Sequence, residues 1–253
     1  INAVAVHPAD SNLILVAADD VGVLRSRDGG LSFAPSNHGF VHRQIQALAV
    51  HPGDPETLFA AVASDRRHGG FFRTSDSGAI WERANEGLDR EAPVRGVRKI
   101  LPFSLNQSAL LVSQDRIRRL NGAGKWETVV EHQNLSVHDA CLAGSNEDMV
   151  ALATARGLRL LDLKTGRLTS VTIPVYDGPV WTVTSTSEPS LFAGGDTGVF
   201  RSDDLGKTWT IKVRGLPPAR VSRLVSGANI LLALTEKGLF LSGDNAEVWE
   251  PRG

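Results

Sequence analysis

Ser202-Asp203-Asp204-Leu205-Gly206-Lys207-Thr208-Trp209 follows the alternating run Gly198-Val199-Phe200-Arg201. It reads as one strand, a tight turn and the start of a second strand. The pattern returns at Ser26-Arg27-Asp28-Gly29-Gly30-Leu31-Ser32-Phe33, after Gly22-Val23-Leu24-Arg25. It returns again at Thr74-Ser75-Asp76-Ser77-Gly78-Ala79-Ile80-Trp81, after Gly70-Phe71-Phe72-Arg73. A weakened copy is Ser242-Gly243-Asp244-Asn245-Ala246-Glu247-Val248-Trp249, after Gly238-Leu239-Phe240-Leu241. One turn used four times makes this a repeat protein.

Each fixed position has a physical reason. The short carboxylate of Asp28, Asp76, Asp204 or Asp244 accepts hydrogen bonds from its own turn's backbone N–H groups. Gly30, Gly78 and Gly206 supply the left-handed backbone such a turn needs. Phe33, Trp81, Trp209 and Trp249 end the hairpin and anchor it in the neighbouring layer. Ile80 replaces the Thr in 74–81 and Ala246 replaces the Gly in 242–249, which predicts distorted turns there. These residues are read as structural, because equivalent positions of separate repeats lie far apart and cannot form one acidic catalytic set.

Working outward, each hairpin belongs to a unit of four short strands and about forty residues. The first opens with Ala3-Val4-Ala5-Val6, turns at His7-Pro8-Ala9-Asp10 and continues through Leu13–Ala17. The second copies it with Ala47-Leu48-Ala49-Val50, His51-Pro52-Gly53-Asp54 and Thr57–Val62. The shared His-Pro-x-Asp is taken as a turn rather than a metal site. A third unit has the glycine turn Asn121-Gly122-Ala123-Gly124, and a fourth turns at Asp162-Leu163-Lys164-Thr165-Gly166. Repeats fall at about 1–40, 41–88, 89–135, 136–174, 175–218 and 219–253, one domain over 1–253. The expected class is all-β, a β-propeller of six four-stranded blades, or seven if flanking segments are missing.

The pattern Ser/Thr-x-Asp-x-Gly-x-Thr-Trp resembles the Asp-box, or bacterial neuraminidase repeat. The resemblance implies a propeller hairpin and says little of function. Similar blades occur in sortilin-like receptors, photosystem II assembly-factor-like propellers and xyloglucanase-like hydrolases. The last resemble this chain in Ala5-Val6-His7-Pro8-Ala9-Asp10 and Val23-Leu24-Arg25-Ser26-Arg27-Asp28-Gly29-Gly30. A sialidase would need an arginine triad, a Tyr/Glu pair and an Asp. Tyr176 is the single Tyr and there is no Arg-Ile-Pro segment, which argues against that activity.

Lys and Arg number 27 against 28 Asp and Glu, for a net charge of -1, so no bulk electrostatic case exists for nucleic acid. No apolar run is long enough to span a bilayer. The lone Cys141 excludes an intrachain disulfide. No cofactor and no metal is expected. The compartment is open, with export to a periplasmic or extracellular space favoured.

Strand order places the loops between second and third strands on one face with the loops joining blades, around the channel mouth. Arg66, Arg67 and His68 sit in the charged loop 64–70. Beside it, repeat three carries Arg95, Arg98, Lys99, Arg116, Arg118 and Arg119 against few acids. They predict a basic sector that docks an acidic protein partner or an anionic glycan, Arg binding carboxylates bidentately. Tyr176, Asp177 and Trp181 form a second candidate, a stacking platform for a sugar, with core packing as the alternative for Trp181. No catalytic residue is assigned. The expected role is a non-catalytic binding or assembly module, the alternative a xyloglucanase-like or sialidase-like glycoside hydrolase or one domain of it.

Overall fold

The computed structural model describes all residues except 8–9, 19, 41–43, 64–68, 90–93, 105–107, 145, 175, 187–189 and 228–229. The described residues contain no helix. They form six four-stranded antiparallel sheets, each ordered by sequence, as the repeats require. The chain divides into two compact units, Ile1–Glu131 and His132–Gly253, each holding three of these blades.

In the first unit, blade 1 is β1 (Ala3–Val6), β2 (Ile14–Ala18), β3 (Gly22–Ser26) and β4 (Ala34–Pro35). Blade 2 is β5 (Ile45–His51), β6 (Asp54–Val62), β7 (Gly70–Thr74) and β8 (Glu82–Arg83). Blade 3 is β9 (Val97–Pro102), β10 (Ala109–Ser113), β11 (Arg116–Leu120) and β12 (Trp126–Glu131). In the second unit, blade 4 is β13 (Val137–Ala143), β14 (Met149–Thr154), β15 (Gly157–Asp162) and β16 (Leu168–Val171). Blade 5 is β17 (Thr182–Ser185), β18 (Leu191–Gly194), β19 (Val199–Ser202) and β20 (Thr210–Lys212). Blade 6 is β21 (Val221–Ser226), β22 (Leu231–Thr235), β23 (Gly238–Ser242) and β24 (Glu250–Arg252).

The near-continuous apolar runs follow from burial on both faces of a middle blade. In β6, Leu58, Ala60 and Val62 join Leu15, Ala17 and Val23 of blade 1, while Phe59 and Ala61 turn to Val97, Ile100 and Leu111 of blade 3. Blade 5 repeats this: Leu191, Ala193 and Phe200 face blade 4, and Phe192 and Val199 face blade 6. Period-two geometry sends alternate side chains to opposite neighbours, so the core lies between blades.

An aromatic at the start of the outermost strand locks each such pair. Trp81, Trp126 and Trp249 are almost fully buried and donate Nε1–H to Ser36, Ala84 and Lys212 carbonyls of the preceding blade at 2.9, 2.8 and 3.1 Å. Burying such a side chain contributes about 2–3 kcal/mol. The linker passes so close that a Cβ at Gly39, Gly87 or Gly215 would meet the Trp81, Trp126 or Trp249 carbonyl oxygen at 2.0–2.3 Å. Trp209 differs: it is only part-buried and bonds Gly206 O of its own turn at 3.1 Å.

The four repeated hairpins share one hydrogen-bond set. Ser26, Thr74, Ser202 and Ser242 each donate a hydroxyl to the Asp two residues on, at 2.5–2.8 Å. Each Asp accepts the N–H four residues further on, from Ser32, Ile80, Thr208 or Val248, at 2.8–3.0 Å. The distortion expected at 74–81 and 242–249 is absent, because the bond from Ile80 or Val248 uses backbone N–H and needs no Thr hydroxyl. Ala246 takes the glycine's place at φ 69, after Asn245 at 59. The turn therefore uses two successive left-handed residues, where the sequence suggested one. Blade 3 achieves the same with Asn121, whose Oδ1 accepts Ala123 and Lys125 N–H at 3.0 Å each. In blade 4 Asp162 accepts Lys164 and Thr165 N–H at 2.8 and 3.0 Å.

Candidate functional site

The loops expected to share a face do meet within their blades. Asn37, in the linker after blade 1, accepts Val23 N–H at 2.8 Å and donates to Val21 O at 2.9 Å. Asn85 does the same after blade 2, with Phe71 N–H at 2.7 Å and Gly69 O at 3.2 Å. An Asn four residues beyond the hairpin aromatic was a repeated signal that the sequence analysis passed over.

On this face of the second unit lies a cavity of about 580 Å³, lined by the turn after β14 and the linker from blade 4 to blade 5. Leu158, Ile173 and Val180 are buried behind its wall, the surface it presents is mainly polar, and Arg156 and Asp177 stand exposed at its rim. Neither side chain is engaged in an ion pair among the described residues.

Tyr176 is built into one wall. Its hydroxyl donates to Pro179 O at 2.6 Å and accepts Asp196 N–H at 2.9 Å, and its ring lies 4.8 Å from Phe200. Burial is the main reason its pKa stands above the usual phenol value, with the nearby Asp196 and Asp177 charges adding to it. The hydroxyl is neutral at physiological pH and shapes the wall.

Trp181 lies beside this wall at the start of the innermost strand of blade 5. His138 of blade 4 stacks on it at 4.5 Å and 11°, and the Arg220 guanidinium before blade 6 sits 4.3 Å from its ring. Its indole N–H donates to Asp196 Oδ1 at 2.8 Å, an oxygen that also accepts Arg220 Nε–H at 3.0 Å. Protein groups thus already engage the ring that the platform reading offered to a sugar. The structure brings Tyr176, Asp177 and Trp181 into one neighbourhood with Arg156, Asp196 and Arg220, loop residues that strand order puts on the same face, and adds His138.

The arginines of repeat three are placed differently. Arg116 pairs with Asp89 at 2.7 Å and also with Glu131, and the buried Arg118 reaches Asp89 at 2.6 Å. Burial opposes ionisation of Asp89, but the bonds and charges of Arg118 and Arg116 outweigh it and hold the carboxyl below its usual range. Arg119 lies over the Phe103 ring at 5.1 Å and Arg98 bonds Gln114 at 3.3 Å. Arg95 is exposed. Arg66, Arg67 and His68 lie outside the described residues. Much of the expected basic charge is therefore already met inside blade 3 and its linkers. Among the described residues no group of three His, Cys, Asp or Glu side chains is placed to hold a metal, and no helix is long and apolar enough to cross a membrane.

Sheets of this number, order and packing define a β-propeller, and solved structures bear this out. The chain is similar to the GH74 enzyme of Niastella koreensis, with TM-score 0.72 and 18% identity over 98% of this chain and 46% of that one. It is also similar to an ancestral GH74 enzyme, with TM-score 0.73 and 16% identity over 99% and 38% of the two chains. YCF48 bound to D1 peptide gives TM-score 0.68 and 16% identity over 96% of this chain and 78% of that one. At these identities the likeness shows the fold. The chain spans less than half the length of the two GH74 enzymes it matches. No family model matches the sequence, and no curated protein matches it.

Proposed function

We propose that this chain is a non-catalytic binding or assembly module of Asp-box propeller type, which recognises a peptide segment of a protein partner at the Arg156–Asp177 cavity. The observation that carries this reading is a mainly polar cavity of about 580 Å³ whose rim carries two opposite charges without an ion-pair partner among the described residues. A peptide offers backbone donors and acceptors for the polar lining and charges of both signs for Arg156 and Asp177. The peptide seen on YCF48, a propeller of the same fold, supports this choice of partner class.

Selection of random twelve-residue peptides on the chain, followed by anisotropy titration, tests the reading. Arg156→Glu with Asp177→Lys is expected to weaken the selected peptides at least about tenfold, the effect of losing charge-assisted contacts. Unchanged affinity in the folded double variant would overturn it.

The likeness to two GH74 enzymes favours glycoside hydrolysis as a second reading, alone or as one domain of a larger enzyme. Asp177 and Asp196 are its candidate pair, since both act electrostatically on Tyr176. Hydrolysis of xyloglucan oligosaccharides that is abolished by Asp177→Asn would establish it in place of the first.

A further inference from the structure

Among the described residues, each blade ends in an outermost strand whose far edge pairs with no further strand. Such an edge presents a row of free backbone N–H and C=O groups, and proteins blunt it with charge, proline, bulges or shortness. Five of the six outer strands are blunted in these ways. β4 and β8 span two residues, with Pro35 in the one and Glu82 and Arg83 in the other. β12 carries Glu127 and Glu131, and Val129 bulges where the register shifts against Ile117 and Arg118. β20 carries Lys212, and β24 is Glu250-Pro251-Arg252. β16 differs: it is Leu168-Thr169-Ser170-Val171, without charge or proline and in continuous register with β15.

The pairing with β15 fixes which groups of β16 are open. Asp162 N–H donates to Arg167 O at 3.0 Å, closing the hairpin with a hydrogen-bonded pair. Such pairs alternate along an antiparallel ladder, so Leu160 with Thr169 and Leu158 with Val171 are bonded too. Leu168 and Ser170 therefore turn their N–H and C=O to the outer edge, where no described group bonds them. Thr172 is next in the alternation and, like Val171, lines the Arg156–Asp177 cavity. The open edge thus runs into the cavity. Its end is also uncapped. Trp81, Trp126 and Trp249 donate to carbonyls at or just past the ends of β4, β8 and β20, whereas Trp209 gives its indole N–H to its own turn.

We propose that the partner's peptide adds to blade 4 as a fifth strand, pairing with the backbone of Leu168 and Ser170 and running past Thr172 into the cavity. This rests on the cavity reading and adds the conformation that the site selects. The ligand is an extended segment, in which main-chain bonds supply affinity and alternate side chains supply specificity. The rim decides the occupant: an added segment can bring charges of both signs to Arg156 and Asp177, which the uncharged β16 edge of a second copy cannot.

Twelve-residue peptides selected on the chain are the probe. Ser170→Pro removes the outward N–H of residue 170 and spares the ladder to β15, because that N–H makes no bond within the blade. It is expected to weaken the peptides at least about tenfold by anisotropy, whereas Ser170→Ala, which keeps the N–H, stays within about twofold. Circular dichroism checks that Ser170→Pro folds. A second measurement needs no variant: on the wild-type chain, N-methylation of successive peptide amides is expected to lower affinity at every second position, since one edge of the peptide faces β16. Peptides weakened by Arg156→Glu with Asp177→Lys, yet indifferent to Ser170→Pro and without the alternation, overturn the fifth strand and leave the cavity reading standing. Peptides that show the alternation and the Ser170→Pro loss but ignore the cavity double variant keep the strand and overturn the cavity reading. Failure to select any peptide removes both.

Discussion

The two units build three blades each from one repeat, yet the contacts between their blades draw on different chemistry. In the second unit the tie is polar. Asp139, 1% exposed, accepts the Thr182 hydroxyl at 2.8 Å and Val183 N–H at 3.2 Å, and Thr182 in turn accepts Leu224 N–H at 2.9 Å. Ser185 donates to Leu142 O at 2.8 Å and Ser226 to Ser185 O at 2.7 Å, which extends the ladder across blades 4, 5 and 6. In the first unit Asn2 donates to Ile45 O at 3.1 Å beside the innermost strands, and aromatics add contacts further out. Phe40 lies 5.0 Å from both Phe72 and Trp81, and Phe71 lies 4.7 Å from Trp126. Charge there is spent on the Arg116, Arg118, Asp89 and Glu131 cluster. Blade-to-blade cohesion thus needs a filled interface, and either dispersion or satisfied hydrogen bonds can supply it.

The largest test removes an aromatic wedge from the first unit. Trp126→Ala should cost about 3–5 kcal/mol in denaturant unfolding, as for other buried Trp truncations; a loss below about 1 kcal/mol would mean that the wedge is dispensable. In the second unit, Asp139→Ala should cost about 2–4 kcal/mol, because the Thr182 hydroxyl and Val183 N–H lose their buried acceptor. Amide exchange should then quicken in β17 and β21 while blades 1 and 2 stay protected, and uniform exchange across both units would erase the contrast. Asp89→Asn should cost less, about 1–2 kcal/mol, since it leaves the buried Arg118 short of a charge partner that is itself half exposed.

The smallest effect is shared by both units and comes from the hairpins. Hydrogen bonds from the Ser32 and Ser26 hydroxyls bring Asp28 to about 2, and those from the Thr208 hydroxyl and N–H bring Asp204 to about 2. A carboxyl held below its unfolded value of about 3.9 stabilises the fold above that pH. The contribution is lost as pH falls towards about 2. Asp28→Asn with Asp204→Asn should therefore flatten the acid limb of the stability profile between about pH 4 and 2. An acid limb as steep as that of the wild type would show that the hairpin carboxylates do not govern it.

Placement of function followed a different course from placement of strands. Repeat three reads as a basic patch because Arg116, Arg118 and Arg119 crowd into one short strand while Asp89 and Glu131 lie in other elements. Only folding shows that the charges meet. Tyr176 and Trp181 attract notice by rarity, whereas Arg156 stands in an ordinary two-residue turn with no motif around it. A cavity rim is assembled from loops distant in sequence, so no local pattern announces it.

Sequence by itself determined the class: four copies of an Asp-centred hairpin and a forty-residue period leave little but four-stranded blades, because turn chemistry and strand alternation are local. It also determined that loops after second strands and loops between blades share a face, since antiparallel order forces this. Tertiary structure decided which charges are neutralised, that Asn121 and Ala246 fill their turn positions without distortion, and that Arg156 and Asp177 flank one cavity. The charge and cavity outcomes depend on groups apart in sequence coming within a few ångströms, and the turn outcome on backbone conformation, neither of which spacing along one strand encodes.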